Sequence, residues 1–110
     1  MFYITPRITI MRYLLQVDFP HSGPFGEELT NAMNDLAKDI ATESGLISKL
    51  WTENEATKEA GGIYQFTNMD DAQRYLKKHT ERLTSFGYKN IRGKIFTINE
   101  ALSALSVPQK

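Results

Sequence analysis

The chain has 110 residues, 41% hydrophobic and 24% charged, with Lys plus Arg equal to Asp plus Glu at 13 each and no cysteine. This is the composition of one globular domain and not of a disordered chain. Zero formal charge leaves no basic footprint for nucleic acid, and the missing thiols exclude disulfides, thiolate nucleophiles and Cys-based zinc or iron–sulfur centres.

From the N-terminus, Met1 to Ile10 alternates Ile and Thr around Pro6 and lacks the long apolar core of a signal peptide. With Met11 it reads as an extension over residues 1–11, an added edge strand or a loose arm. The domain proper is then 12–105, followed by a tail over 106–110. Arg12 to Phe19 alternates, with Tyr13, Leu15, Val17 and Phe19 on one face, and is predicted to be a strand. Pro20-His21-Ser22-Gly23-Pro24 ends it in a turn. Phe25, Leu29, Ala32, Met33, Leu36 and Ile40 recur at spacings of three and four, which predicts a helix. Glu27 and Glu28 favour its N-terminus, and Gly45 is read as its left-handed stop.

Leu46–Thr52 and Gly61–Thr67 are predicted strands, joined as a long hairpin by the polar stretch from Glu53 to Glu59. Asn68, three residues before Asp71, marks the start of a second helix. Its stripe is Met69, Ala72, Tyr75, Leu76, His79, Leu83 and Phe86, and it ends at Gly87. Ile91 to Ile98 alternates as a fourth strand, and Asn99 caps a last short turn over Ala101–Leu105.

The order β-α-β-β-α-β predicts an α+β domain of ferredoxin-like type, a four-stranded antiparallel sheet with two helices on one face. Several strands carry apolar residues on both faces. Leu14 opposes the Tyr13–Leu15–Val17 face, Ile47 and Trp51 oppose Leu46 and Leu50, and Phe96 and Ile98 oppose Ile91 and Ile95. Contiguous exposed apolar surface marks an interface, so a homodimer is expected, packed sheet to sheet as a dimeric α+β barrel. No apolar run reaches the length of a membrane span. Neither membrane nor nucleic acid is expected as a partner, and the absence of cysteine fits a cytoplasmic location.

No metal or phosphate motif stands out. His21 and His79 have no second His or Cys at ligand spacing, and Gly61-Gly62 is not followed by a helix. The chemistry-bearing residues are aromatic and polar side chains expected around one cavity between the sheet and its helices. Trp51 and Tyr64 would stack on a flat ligand and donate an indole N–H and a phenol O–H, while strand parity leaves Trp51 two faces, toward the helices or toward a partner sheet. His79 would be a proton acceptor near neutral pH. Phe66, Tyr75, Arg82 and Phe25 are read as substrate-binding residues around them, and one of Glu53, Glu55 and Glu59 could close the mouth. No cofactor is expected.

Five stretches carry a family resemblance. They are Gly23-Pro24-Phe25-Gly26, Lys49-Leu50-Trp51-Thr52-Glu53, Glu59 to Thr67, Tyr75 to Leu83, and Asn99-Glu100-Ala101-Leu102-Ser103. In this order, across about Arg12 to Leu105, the chain resembles the YdhR-like family of proposed monooxygenases. The resemblance implies a dimeric α+β barrel and kinship with cofactor-independent monooxygenases that oxidise aromatic polyketides such as hydroxyanthrones. In that chemistry the substrate supplies the electrons, a base removes an acidic proton, and the anion reacts with O2. Carried onto this chain, Trp51 and Tyr64 become cavity donors and stackers and His79 the proton shuttle. The rival reading is a dimeric binding or stress-related module that holds a small hydrophobic metabolite and catalyses nothing. The Asn-Trp-His pattern of haem-degrading relatives is not reproduced.

Overall fold

Strand β1 (Tyr13–Pro20) organises the domain, because its Leu15, Val17 and Phe19 are buried while Gln16 between them is exposed. The computed structural model describes residues 11–109. After β1 come α1 (Gly26–Ile40), β2 (Leu46–Asn54), β3 (Glu59–Phe66), α2 (Met69–Ser85), β4 (Arg92–Thr97) and α3 (Glu100–Leu105). The sheet order is β2-β3-β1-β4 with every neighbour antiparallel, the ferredoxin-like topology. The reading of Met1–Ile10 lies outside the described residues.

Register fixes which side chains meet. Leu15 is opposite Tyr64 and Ile95, Val17 opposite Gly62 and Gly93, and Tyr13 opposite Phe66. These residues face the helices, where Ile40 of α1 and Ala72, Tyr75 and Leu83 of α2 complete the core. At Gly93 a side chain would place its Cβ 2.3 Å from Leu76 Cδ1, so the bare position lets α2 lie close on β4.

Asn68 caps α2, its Oδ1 accepting the Asp71 backbone N–H at 2.8 Å, and Gly87 follows the helix with φ +96°. Asn99 caps α3 in the same way through Leu102. Glu100 there receives a fork of bonds from Arg12, Nη2 to Oε1 at 2.7 Å and Nε to Oε2 at 3.0 Å. The start of α1 has no side-chain cap of its own. The Gly26 N–H instead donates to Glu53 Oε1 of β2 at 2.7 Å, across 27 positions of sequence.

Three details differ from the predicted elements. Gly45 is left-handed (φ +77°), but it sits in the turn leading to β2, because α1 already ends at Ile40 with Ala41 in a right-handed cap. The hairpin is tighter than the polar composition suggested. Both strands run on to Asn54 and Glu59, and the turn closes with the Thr57 N–H on Asn54 Oδ1 at 3.0 Å. A register shift between Leu46 and Ser48 also breaks the alternation of β2. Leu46 pairs with Phe66 and joins the core side with Trp51, whereas Leu50 pairs with Ile63 on the outer face. An extra bulge residue inverts strand parity, so simple alternation placed Leu46 and Leu50 together wrongly.

Candidate functional site

Strand β2 lies at the sheet edge beneath α1, and it supplies the centre of the site. Trp51 pairs with Gly62 and Lys49 with Tyr64, so both face the helices. Trp51 is still 39% exposed, because α1 does not close over it. The space left is a narrow apolar cleft of about 30 Å³, with Leu29 and Met33 of α1 on one wall and Lys49, Trp51 and Ala60 on the sheet side. His79 and Leu83 of α2 form its back. A second cleft of about 250 Å³ shares Leu29, Met33 and Trp51 and runs outward to Thr30, Asn34 and Glu53. Together they have the apolar lining with a few polar groups that small-molecule sites use, and the outer cleft supplies most of the room.

His79 is 3% exposed, with its ring stacked on Tyr75 at 5.1 Å and edge-on to Tyr64 at 6.0 Å. Arg82 donates to its Nδ1 from Nη2 at 3.0 Å and from Nε at 3.3 Å. A guanidinium only donates, so Nδ1 holds the lone pair and the proton of the neutral ring is on Nε2. Burial first, then the charges of Lys49 and Arg82, lower the His79 pKa to about 3. In this geometry His79 offers the cleft an N–H donor, where its place on the stripe had suggested a proton acceptor.

Lys49 was quoted in the sequence only as part of a motif, and it is the residue that sequence reasoning missed. Its Nζ lies 3.3 Å from the centre of the Trp51 ring and 4.7 Å from that of Tyr64. No carboxylate lies within ion-pair distance of it among the described residues. Burial, with a smaller contribution from Arg82, lowers its pKa to about 7. Strand register carried the signal that could have found it, since Lys49 and Trp51 are two residues apart and must share a face.

The other expected site residues fall into layers. Tyr64 is sealed behind Lys49 and His79, and burial pushes its phenol pKa upward. Tyr75 lies beside it, with its hydroxyl accepting from Arg82 Nη2 at 3.3 Å. Arg82 also pairs with Asp39 of α1 at 3.4 Å, so it clamps His79 and Tyr75 while joining the two helices. Phe66 lies one layer deeper, fully buried against Tyr64 and Tyr75. Phe25 lies outside the cleft lining and packs edge-on against His21 at 5.1 Å.

His21 is buried with both nitrogens engaged. Nε2 donates to the Pro24 carbonyl at 2.6 Å and Nδ1 accepts from the Tyr88 hydroxyl at 2.7 Å, which holds the loop before α1. Gly61-Gly62 serves close packing, since a Cβ at Gly61 would lie 2.0 Å from the Val17 carbonyl oxygen. Among the described residues no three His, Cys, Asp or Glu side chains converge as metal ligands, and no helix is long and apolar enough to cross a membrane.

Fold and site together define a ferredoxin-like α+β domain with an aromatic-lined cleft between its sheet and its helices. The chain belongs to the family described as "Putative mono-oxygenase ydhR", whose model matches residues 14–108. That span agrees with the resemblance seen from Arg12 to Leu105. No curated protein matches the chain.

Proposed function

We propose that this protein oxidises a small aromatic substrate of the hydroxyanthrone type with O2 inside the cleft, using no bound cofactor. The carrying observation is that Trp51 and His79 line the same apolar cleft, in a chain of this family. A flat substrate would stack on Trp51, and the His79 Nε2–H would hold the oxygen on which negative charge develops. In the overall reaction a methylene between aromatic rings and one O2 become a carbonyl and one water. Four electrons leave the carbon and reduce both oxygen atoms, so the substrate is itself the reductant.

The same reading includes a homodimer packed through the outer sheet face. That face carries two cross-strand apolar pairs, Leu14 with Phe96 and Leu50 with Ile63. Leu50 is 68% and Phe96 43% exposed in the single chain, as expected of residues that a second copy would cover.

Oxygen uptake with a hydroxyanthrone as substrate is the test. His79→Ala and Trp51→Phe should each lower turnover sharply, and unchanged turnover in both would remove this site from the reaction. Ligand-dependent thermal stabilisation with no product after long aerobic incubation would instead support the binding-module reading.

A further inference from the structure

Proton abstraction needs a lone pair that can turn toward the substrate. Five titratable side chains line the two clefts: His21, Lys49, Glu53, His79 and Tyr88. His21 and Tyr88 are spent on each other and on Pro24. The His79 Nδ1 lone pair receives two Arg82 N–H groups. Glu53 lines only the outer cleft, exposed to solvent and bonded to the Gly26 N–H. Behind the lining, burial keeps the Tyr64 and Tyr75 phenols neutral. Lys49 remains, reaching into the inner cleft with its end over Trp51.

We propose that Lys49 takes the proton from the substrate, a phenol or enol lying against Trp51, and then pairs as an ammonium with the anion it has made. This rests on the oxygenase reading above. The amine lone pair forms an N–H bond as the substrate O–H bond breaks, and the electron pair stays on the oxygen, delocalised into the ring. The His79 Nε2–H donates to that oxygen, and the ammonium later returns its proton to the peroxide formed with O2. The groups facing Lys49 are Tyr64 from β3, His79 and Arg82 from α2, and Glu53 farther along its own strand, with Tyr75 behind Tyr64 and His79. Asp39 of α1 is directed to Arg82. With His79 neutral and Arg82 cationic, this surrounding favours an uncharged amine near neutral pH, the state a base must occupy.

The experiment uses the full chain with Lys49→Met, Lys49→Arg and Glu53→Gln, each checked for folding by its thermal transition. The first probe is 4-nitrophenol, whose anion is yellow, with binding followed by fluorescence of Trp51, the only tryptophan. Wild type should bind it as the anion below the pH at which it ionises in water, and Lys49→Met should bind it neutral. Lys49→Arg keeps a charge that cannot be lost. It should still bind the anion while hydroxyanthrone turnover falls about 100-fold, within the range removed with a general base.

Turnover retained in Lys49→Arg, or lost in Glu53→Gln with Lys49→Met active, overturns the assignment. So does failure of wild type to hold the anion. Turnover lost in His79→Ala but kept in Lys49→Met preserves the oxygenase reading and rejects Lys49. Anion capture by Lys49 without any oxygen uptake supports the lysine as proton acceptor and rejects the oxygenase reading.

Discussion

A Cβ built on Gly62 would lie 2.7 Å from Lys49 Cε and 3.0 Å from the Tyr64 ring, so the bare position on β3 is what lets the lysine lie along the sheet. The two residues are on neighbouring strands, with Gly62 opposite Trp51 and Lys49 one step along the same face. Gly62→Ala should therefore push the flexible lysine out of the cleft before it disturbs the backbone. The expected stability cost is small, about 1–2 kcal/mol as for modest overpacking. The Lys49 pKa should return toward 10.5, the ordinary value from which it is now lowered. NMR of reductively methylated lysines would follow that titration, and an unchanged Lys49 signal would contradict the steric argument.

His79 links the site to acid stability. Its pKa is about 3 when folded against 6.5 as the ordinary value, so between these the unfolded chain binds more protons. Stability is therefore full above about pH 6.5 and is lost as pH falls toward 3. At about 1.4 kcal/mol per unit the loss reaches up to roughly 5 kcal/mol. Asp71 and Glu100, held below the ordinary carboxylate range by bonds from Asn68 and Arg12 respectively, also lose stability in acid. The informative quantity is thus the difference between wild type and His79→Gln in urea unfolding across that range. A constant difference would show that His79 does not titrate this way.

His21 is expected to be structural. His21→Phe keeps the ring's packing against Phe19, Phe25 and Tyr88 but leaves the Pro24 carbonyl and the Tyr88 hydroxyl without their partner. Unmet polar groups of this kind cost about 1–3 kcal/mol each when buried. Chemical denaturation should register the loss, with the m-value unchanged because the folded surface stays the same.

The outer sheet face gives a test of assembly. Leu50→Lys with Phe96→Glu places charges on both exposed apolar pairs, so light scattering should read a monomer for this variant and, on the proposal above, a dimer for the unmodified chain. The single-chain core contains neither residue, and circular dichroism should stay unchanged. A wild-type chain that is monomeric at micromolar concentration would remove the sheet-to-sheet proposal.

Much of this architecture was legible in the residues. Alternation from Tyr13 to Phe19, the α2 stripe and the caps at Asn68 and Asn99 each express local chemistry, and the element order then left one topology to consider. The bulge at β2 was not legible, because a single inserted residue leaves composition unchanged while inverting every later side chain. Gly45 misled for a related reason, since a left-handed glycine serves a turn as well as it serves a helix end.

For the site, sequence alone determined that Tyr75 and His79 share one helix stripe and that Trp51 lies on a strand, whereas the sheet face of Trp51 was decided by the β2 register. Which atom does what was decided by tertiary structure. Arg82 occupies the His79 lone pair, Gly62 clears a path for Lys49, and Glu53 reaches the start of α1. Periodicity tells which face a residue occupies, whereas a proton's position depends on burial and on partners brought together only when the strands and helices pack.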